Sequence, residues 1–233
     1  QWLVGSDSTD YYFVAHDKMK QYLISKNIPE NHIFATGIPL SKRFLEKYDK
    51  KEILDKFALS NDKKTILFFG GGEFGLGKTR TVEFFKTLVS FNNDLQIVAI
   101  AGKNEKMKIA FENIVEELKA QERVKVLSFT NQVPELMSIA DLVISKPGGM
   151  TTTESLASHL PMLIINPIPG QEEENAEFLE ENGIGIWIKK DTDVNILLNN
   201  IFSNPDKLEE MKKNTNILAK PNSTKNICEI LLN

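Results

Sequence analysis

The chain has 233 residues, 41% of them hydrophobic and 26% charged, with 28 Lys and Arg against 32 Asp and Glu for a net charge of −4. That supplies apolar material for a sizeable core, in one large domain or two small ones, and argues against a nucleic-acid binder working through a general positive field. A single cysteine, Cys228, excludes an internal disulfide framework and a multi-cysteine zinc site and fits a reducing compartment, and no apolar run approaches the roughly 18 residues a membrane span needs.

The opening residues 1–10 do not read as a signal peptide, and a first residue Gln1 rather than Met reads as a start within something longer. Residues 1–60 are irregular in pattern. They hold a short apolar run at Tyr11–Ala15, a helix over Lys18–Lys26 and a second run at Ile33–Ala35 that ends in Thr36-Gly37-Ile38-Pro39. Pro39 and the charged stretch Glu46–Glu52 read as a connector into a short amphipathic helix around Lys51–Leu59. From Thr65 onward short apolar runs alternate with segments of helical period. The runs are Ile66–Phe69, Leu95–Ala101, Val124–Phe129, Leu142–Ser145, Met162–Asn166 and Ile184–Ile188. Helices are expected over Arg80–Ser90, Glu105–Gln121, Val133–Ile139, Thr152–His159, Glu173–Asn182, Val194–Ser203, Pro205–Leu218 and Ser223–Leu232. Buried strands alternating with helices predict βαβ units and a doubly wound α/β domain over residues 65–233, with a parallel sheet covered on both faces. Ligands of such folds lie beyond the carboxyl ends of the strands, so the loops after each run are where chemistry is to be sought.

The first such loop, Gly70 to Thr79, satisfies two short motifs without their context. Gly70, Gly72 and Gly75 fit G-x-G-x-x-G, but the second strand ends in Ala101-Gly102-Lys103-Asn104 and lacks the carboxylate that holds a dinucleotide ribose. Gly72 to Thr79 fits a P-loop, but no apolar run closes on the Asp that would help hold Mg²⁺. The remaining reading is a glycine-rich turn that lets a phosphate or a facing domain approach the backbone. The stretch Ser145 to Glu154 runs from a strand through Gly148 and Gly149 straight into a helix, which suits a diphosphate at the helix end. Thr151 and Glu154 also fit a capping box, in which Glu154 would only satisfy a backbone amide. Pro167 to Asn175 again follows a strand and opens a helix, and Gln171 there has the donors and acceptor to bracket sugar hydroxyls. Asp191-Thr192-Asp193 resembles a metal-binding D-x-D but more simply caps the next helix. His16, His32 and His159 are too scattered for a metal site, and no metal is expected.

Taken together, Thr36-Gly37-Ile38-Pro39, Gly70-Gly71-Gly72, Ala101-Gly102-Lys103-Asn104, Val133-Pro134-Glu135-Leu136-Met137, Asp141 to Glu154, and Pro169-Gly170-Gln171-Glu172 with Asn175 resemble the inverting GT-B glycosyltransferases of family 28. The likeness is to bacterial processive diacylglycerol glucosyltransferases and plant monogalactosyldiacylglycerol synthases, and it spans the whole chain in order. It implies a Rossmann-like C-terminal domain over 65–233 that binds a UDP-sugar, a connector over 40–64 and, over 1–39, the tail of an N-terminal acceptor domain. It further implies uracil against Phe129 and Thr130 with Val133 or Met137 nearby, and ribose on Glu154. Gly148, Gly149 and Thr151 would face the diphosphate, Gln171, Glu172 and Asn175 the hexose, while Asn104 and the loop with Gly71, Gly72 and Gly75 close the cleft. Relatives often carry a basic residue directly after the T-G-I-P-hydrophobic segment, where this chain has Ser41.

The reaction implied for the full-length enzyme is transfer of a hexose from a UDP-hexose to diacylglycerol, with no cofactor and no obligatory metal, at the inner face of the cell membrane from the cytoplasm. The base and the lipid groove belong to the N-terminal part; His16 has a modest claim, and the chain alone is expected to bind donor without turnover. A non-catalytic nucleotide-sugar subunit or sensor, and an enzyme using UDP-N-acetylglucosamine (a lipid-linked transferase or a 2-epimerase), remain the alternatives.

Overall fold

The structure, a computed structural model, describes residues 9–70, 78–91 and 94–232. The chain opens with β1 (Tyr12–Phe13), α1 (Asp17–Ser25) and β2 (Ile33–Phe34), whose two strands pair in parallel, Tyr12 opposite Ile33 and Phe13 opposite Phe34. Val14, Leu23 and Ile33 bury one another beneath this small unit. A 3-10 turn at Lys42–Leu45 and α2 (Lys50–Lys56) follow; Asp49 caps α2 by accepting from the N–H groups of Lys51 and Glu52. The short amphipathic helix expected around Lys51–Leu59 is α2, and its Ile53 and Leu54 are buried against the large sheet.

The large sheet is made by β3 (Lys64–Phe69), β4 (Leu95–Ile100), β5 (Val124–Leu127), β6 (Leu142–Ser145), β7 (Met162–Ile164) and β8 (Gly185–Trp187). Between them run α3 (Lys78–Phe91), α4 (Glu105–Glu117), α5 (Val133–Ile139), α6 (Gly149–Ala157) and α7 (Gln171–Glu181), and α8 (Val194–Phe202), α9 (Pro205–Leu218) and α10 (Ser223–Leu232) close the chain. The six strands lie in the order β5-β4-β3-β6-β7-β8, every pair parallel, the doubly wound arrangement the sequence predicts. Central strands are apolar at consecutive positions because both faces are covered. Ile66 and Phe68 face one layer with Phe84, Phe85 and Leu88 of α3 and Phe111 of α4, while Leu67 and Val143 face the other with Leu136 of α5 and Leu179 of α7. Gln96 is the polar exception within β4. Its amide accepts from Ser60 N–H and donates to Ser60 O and Thr65 Oγ1, each at 2.8 Å, which satisfies it at 2% exposure. Asp141 accepts from Thr65 N–H at 2.9 Å and tethers the starts of the central strands β3 and β6, at the end of the sheet opposite the strands' carboxyl ends.

The N-terminal unit is fastened to α7 and to the chain around the start of α10. The His16 ring caps α1, its Nδ1 accepting from Met19 N–H at 3.3 Å, and stacks on Phe178 of α7 with centroids 3.9 Å apart. Burial and the nearby Lys18 hold its pKa below the usual 6.5. Lys18 pairs with Glu181 at 2.7 Å, and Lys220 beside α10 donates to Ala35 O at 2.7 Å. The histidine considered as a base is thus used as a cap and a packing surface.

Gly70, at the exit of β3, has no room for a side chain. A β-carbon there would lie 2.8 and 3.0 Å from the Phe111 ring and 3.1 Å from Met107 Cγ, and Phe111 is fully buried with nowhere to retreat. Gly70→Ala is therefore expected to lower stability by about 1–3 kcal/mol, seen as a reduced urea midpoint at unchanged slope.

Candidate functional site

The chain winds outward from β3 in one direction and from β6 in the other, which leaves a crevice above their carboxyl ends. One wall is the start of α6. Gly148 is its cap, in an extended conformation with no side chain to offer, and the first intrahelical bond runs from Thr152 N–H to Gly148 O at 2.8 Å. The N–H groups of Gly149, Met150 and Thr151 consequently leave the helix end without a helical acceptor, which together with the helix dipole makes an anion seat.

This start corrects the capping-box reading. Thr151 is the third residue of α6 and not its cap, so Glu154 lies in the helix body with no capping role. Glu154 is half-buried and, among the described residues, meets neither a hydrogen-bond donor nor a cation; burial pushes its carboxyl up to about 7. A half-buried carboxyl with a raised pKa beside a helix N-terminus is chemically able to accept hydrogen bonds from hydroxyl groups. Thr152 Oγ1, one turn inside the same helix, is buried and also lacks a partner among the described residues.

The facing wall is the start of α7, which begins at Gln171, two residues earlier than the sequence suggests, because Gly170 at φ +98 turns the chain into the helix. Glu173 Oε2 accepts from Gly170 N–H at 3.4 Å, and Glu172 Oε2 accepts from Ile168 N–H at 2.7 Å. Asn175 Nδ2 donates to Pro147 O at 2.8 Å and so ties α7 to the loop that enters α6. Glu172 Oε1 and Gln171 Nε2 lie 3.9 and 3.8 Å from where β-carbons on Gly148 and Gly149 would stand, so the two helix ends meet across the glycines. Glu172 and Asn175 thus hold the loops in place, while exposed Gln171 is left facing the crevice.

Along the other side, Phe129 lies beyond the end of β5 and is 62% exposed, with Lys103 Nζ over its ring at 5.7 Å. Thr130 Oγ1 accepts from Gln132 N–H, and Val133 is the partly buried first residue of α5. Met137 is fully buried in the core, so it supports this wall from beneath and presents nothing to a ligand. Asn104 Oδ1 caps α4 by accepting from Met107 N–H at 3.1 Å. Gly71, Gly72 and Gly75 lie outside the described residues. Asp193 caps α8 through Ile196 N–H at 3.0 Å, and among the described residues no group of three or more His, Cys, Asp or Glu gathers where a metal ion could be held. Ile38, to which sequence reasoning gave no role of its own, reaches the same glycines: its Cδ1 is 3.3 Å from a β-carbon position on Gly149. Its signal was a lone apolar residue between Gly37 and Pro39, which spacing alone does not connect to α6.

Because the Glu154 pKa is raised in the folded chain, its burial costs nothing below the unfolded value of 4.5 and destabilises progressively as pH rises through about 7. Replacing it by the neutral isostere removes that cost. Glu154→Gln is expected to be more stable than the parent by about 1 kcal/mol at about pH 8, the carboxyl being partly solvated, and equal to it at about pH 4, as read by thermal denaturation at both values.

Residues 65–227 match the family model described as the glycosyltransferase family 28 C-terminal domain. The processive diacylglycerol beta-glucosyltransferase of Bacillus licheniformis is 35% identical over 215 residues, covering 92% of this chain and 55% of that protein. The enzyme of the same name from Bacillus subtilis is 32% identical over 226 residues, covering 97% of this chain and 58% of its own length. The chain spans just over half the length of these curated relatives. Among solved structures, UDP-GlcNAc 2-epimerase from Neisseria meningitidis bound to UDP-GlcNAc superposes with a TM-score of 0.73 at 20% identity, over 96% of this chain and 61% of that one. Anabaena HepE in complex with UDP gives 0.63 at 14% identity, over 95% and 63%. At such identities the structures share the fold, whereas the family model takes in all six strands of the large sheet and α3 to α9: this chain belongs to glycosyltransferase family 28 and carries its C-terminal domain.

Proposed function

We propose that this chain is the donor-binding part of an inverting glycosyltransferase that moves a hexose from a UDP-hexose to diacylglycerol. The observation that carries the reading is the pairing of an α6 start that has no side-chain cap with the half-buried Glu154, which has no hydrogen-bond or ion-pair partner among the described residues, opposite Gln171 of α7. It is supported by relatives named for diacylglycerol glucosylation and by solved structures of the same fold that hold UDP or UDP-GlcNAc. The likeness to the epimerase is one of fold, while the likeness in sequence is to the glucosyltransferases, which favours transfer over epimerisation.

In this reading the diphosphate sits on the N–H groups of Gly149, Met150 and Thr151, the ribose hydroxyls donate to Glu154, and Gln171 reads the hexose. A deprotonated lipid hydroxyl attacks the anomeric carbon from the face opposite the diphosphate. The new carbon–oxygen bond forms as the anomeric carbon–phosphate oxygen bond breaks, and the charge that develops on UDP is met by the helix end already in place. The acceptor's proton goes to a base supplied by the remainder of the longer protein, which also seats the lipid at the inner face of the cell membrane. No metal is required, because the α6 dipole and its N–H groups take the role a cation would have.

Calorimetric titration tests this. UDP and UDP-glucose are expected to bind with EDTA present, and ATP-Mg and NAD to give no heat; ATP-Mg binding without UDP binding would replace this reading with a P-loop one. Glu154→Gln is expected to weaken UDP-glucose by about 1.5–3 kcal/mol, the usual range for hydrogen bonds to a charged group. In the parent chain the affinity for UDP-glucose should rise as pH increases through about 7, since the ionised carboxylate is the better acceptor, and Glu154→Gln should flatten that rise.

A further inference from the structure

The segment Thr36-Gly37-Ile38-Pro39 leaves β2 and passes beside the start of α6. Its backbone is held from both sides. Gly37 N–H donates to Val14 O at 3.0 Å, and Gly37 itself sits at φ +88 with Lys220 Cβ 2.7 Å from where a β-carbon would stand, which leaves no place for another residue. Ser223, fully buried at the start of α10, donates its Oγ to Ile38 O at 2.8 Å, and Pro39 restricts the backbone that follows. What this scaffold presents is the half-buried side chain of Ile38. Its Cδ1 and the Gln171 Nε2 flank the same residue of α6, at 3.3 and 3.8 Å from the β-carbon position of Gly149.

We infer that Ile38 is the apolar wall of the hexose subsite, packing against the C–H face of the donor's sugar while Gln171 reads its hydroxyls. A pyranose offers both kinds of surface, and ligand sites characteristically pair an apolar wall with a few fixed polar groups. An aliphatic side chain gains little beside the diphosphate, whose contacts are N–H groups, and gains most beside the ring carbons. Its backbone anchorage at Ser223 and Gly37 means that little ordering remains to be done when the sugar arrives. This rests on the donor-binding reading above and adds to it a residue that distinguishes UDP-hexose from UDP.

The test is calorimetric titration of the chain and of Ile38→Val, Ile38→Ala and Ser223→Ala with UDP and with UDP-glucose, alongside each variant's melting temperature. UDP affinity is expected to stay within about twofold throughout, while UDP-glucose affinity falls about threefold in Ile38→Val, which loses one carbon, and about thirtyfold in Ile38→Ala, which loses three, as lost methylene burial requires. Ser223→Ala, which frees the Ile38 backbone and keeps its side chain, should give a smaller loss of the same kind. If Ile38→Ala does not fold, the Ile38→Val measurement decides. Equal weakening of UDP and UDP-glucose would make Ile38 a prop for the helix end and overturn the inference. So would a parent chain that binds UDP but not UDP-glucose, or UDP-glucose binding unchanged in both Ile38 variants. A parent chain that binds neither ligand overturns the donor-binding reading and this inference with it.

Discussion

Where the sheet reverses, between β3 and β6, the chain leaves one strand end for one face and the other strand end for the opposite face, so no crossover helix can roof the crevice between them. Everything that looks functional in this molecule is arranged around that gap. At the exit of β3, Gly70 packs against the Phe111 ring, which no larger residue could do. The helix after β6 must begin at the gap with its N–H groups exposed, and a glycine cap with no oxygen to contribute leaves them available. A Ser or Asp at position 148 would cap α6 better and fill the seat with its own side chain.

α7 joins this site to the N-terminal unit. Its first turn faces the glycines of α6 through Gln171 and Glu172, and its last turns carry Phe178 against His16 and Glu181 against Lys18. The surface ion pair contributes little by itself, whereas the ring stack buries area and fixes an angle. α10 makes a second connection, through Ser223 to Ile38, so the N-terminal unit is positioned relative to the anion seat by two helices rather than by the connector alone.

The electrostatics of the site follow from burial more than from ion pairing. Glu154 lies in the body of a helix whose positive end is nearby, yet desolvation governs its carboxyl and raises its pKa. Such a group destabilises the folded chain once it is ionised, because its burial is not offset by a donor or cation among the described residues. Asp193 and Asn104 are the contrast: each side chain caps a helix, Asp193 at α8 and Asn104 at α4.

The sequence by itself determined the strand runs, their alternation with helices, the parallel doubly wound class and the loops in which to look, because buried parallel strands must be apolar at consecutive positions and the glycines at 148, 149 and 170 mark where the backbone has to turn or be approached. It did not determine where the helices begin. A T-x-x-E spacing is consistent with a cap at Thr151, but in the folded chain the helix starts at Gly149, which puts Glu154 in the helix body and half-buried instead of at a capping position. Periodicity likewise places Val133 and Met137 on one helix, but burial decides that Met137 belongs to the core. Ile38 and Gly149 are more than a hundred residues apart, and their contact depends on β2, α10 and α6 being docked together. Local pattern reports backbone preference and the side of burial, while the meeting of distant side chains is set by how the layers pack, which no local pattern encodes.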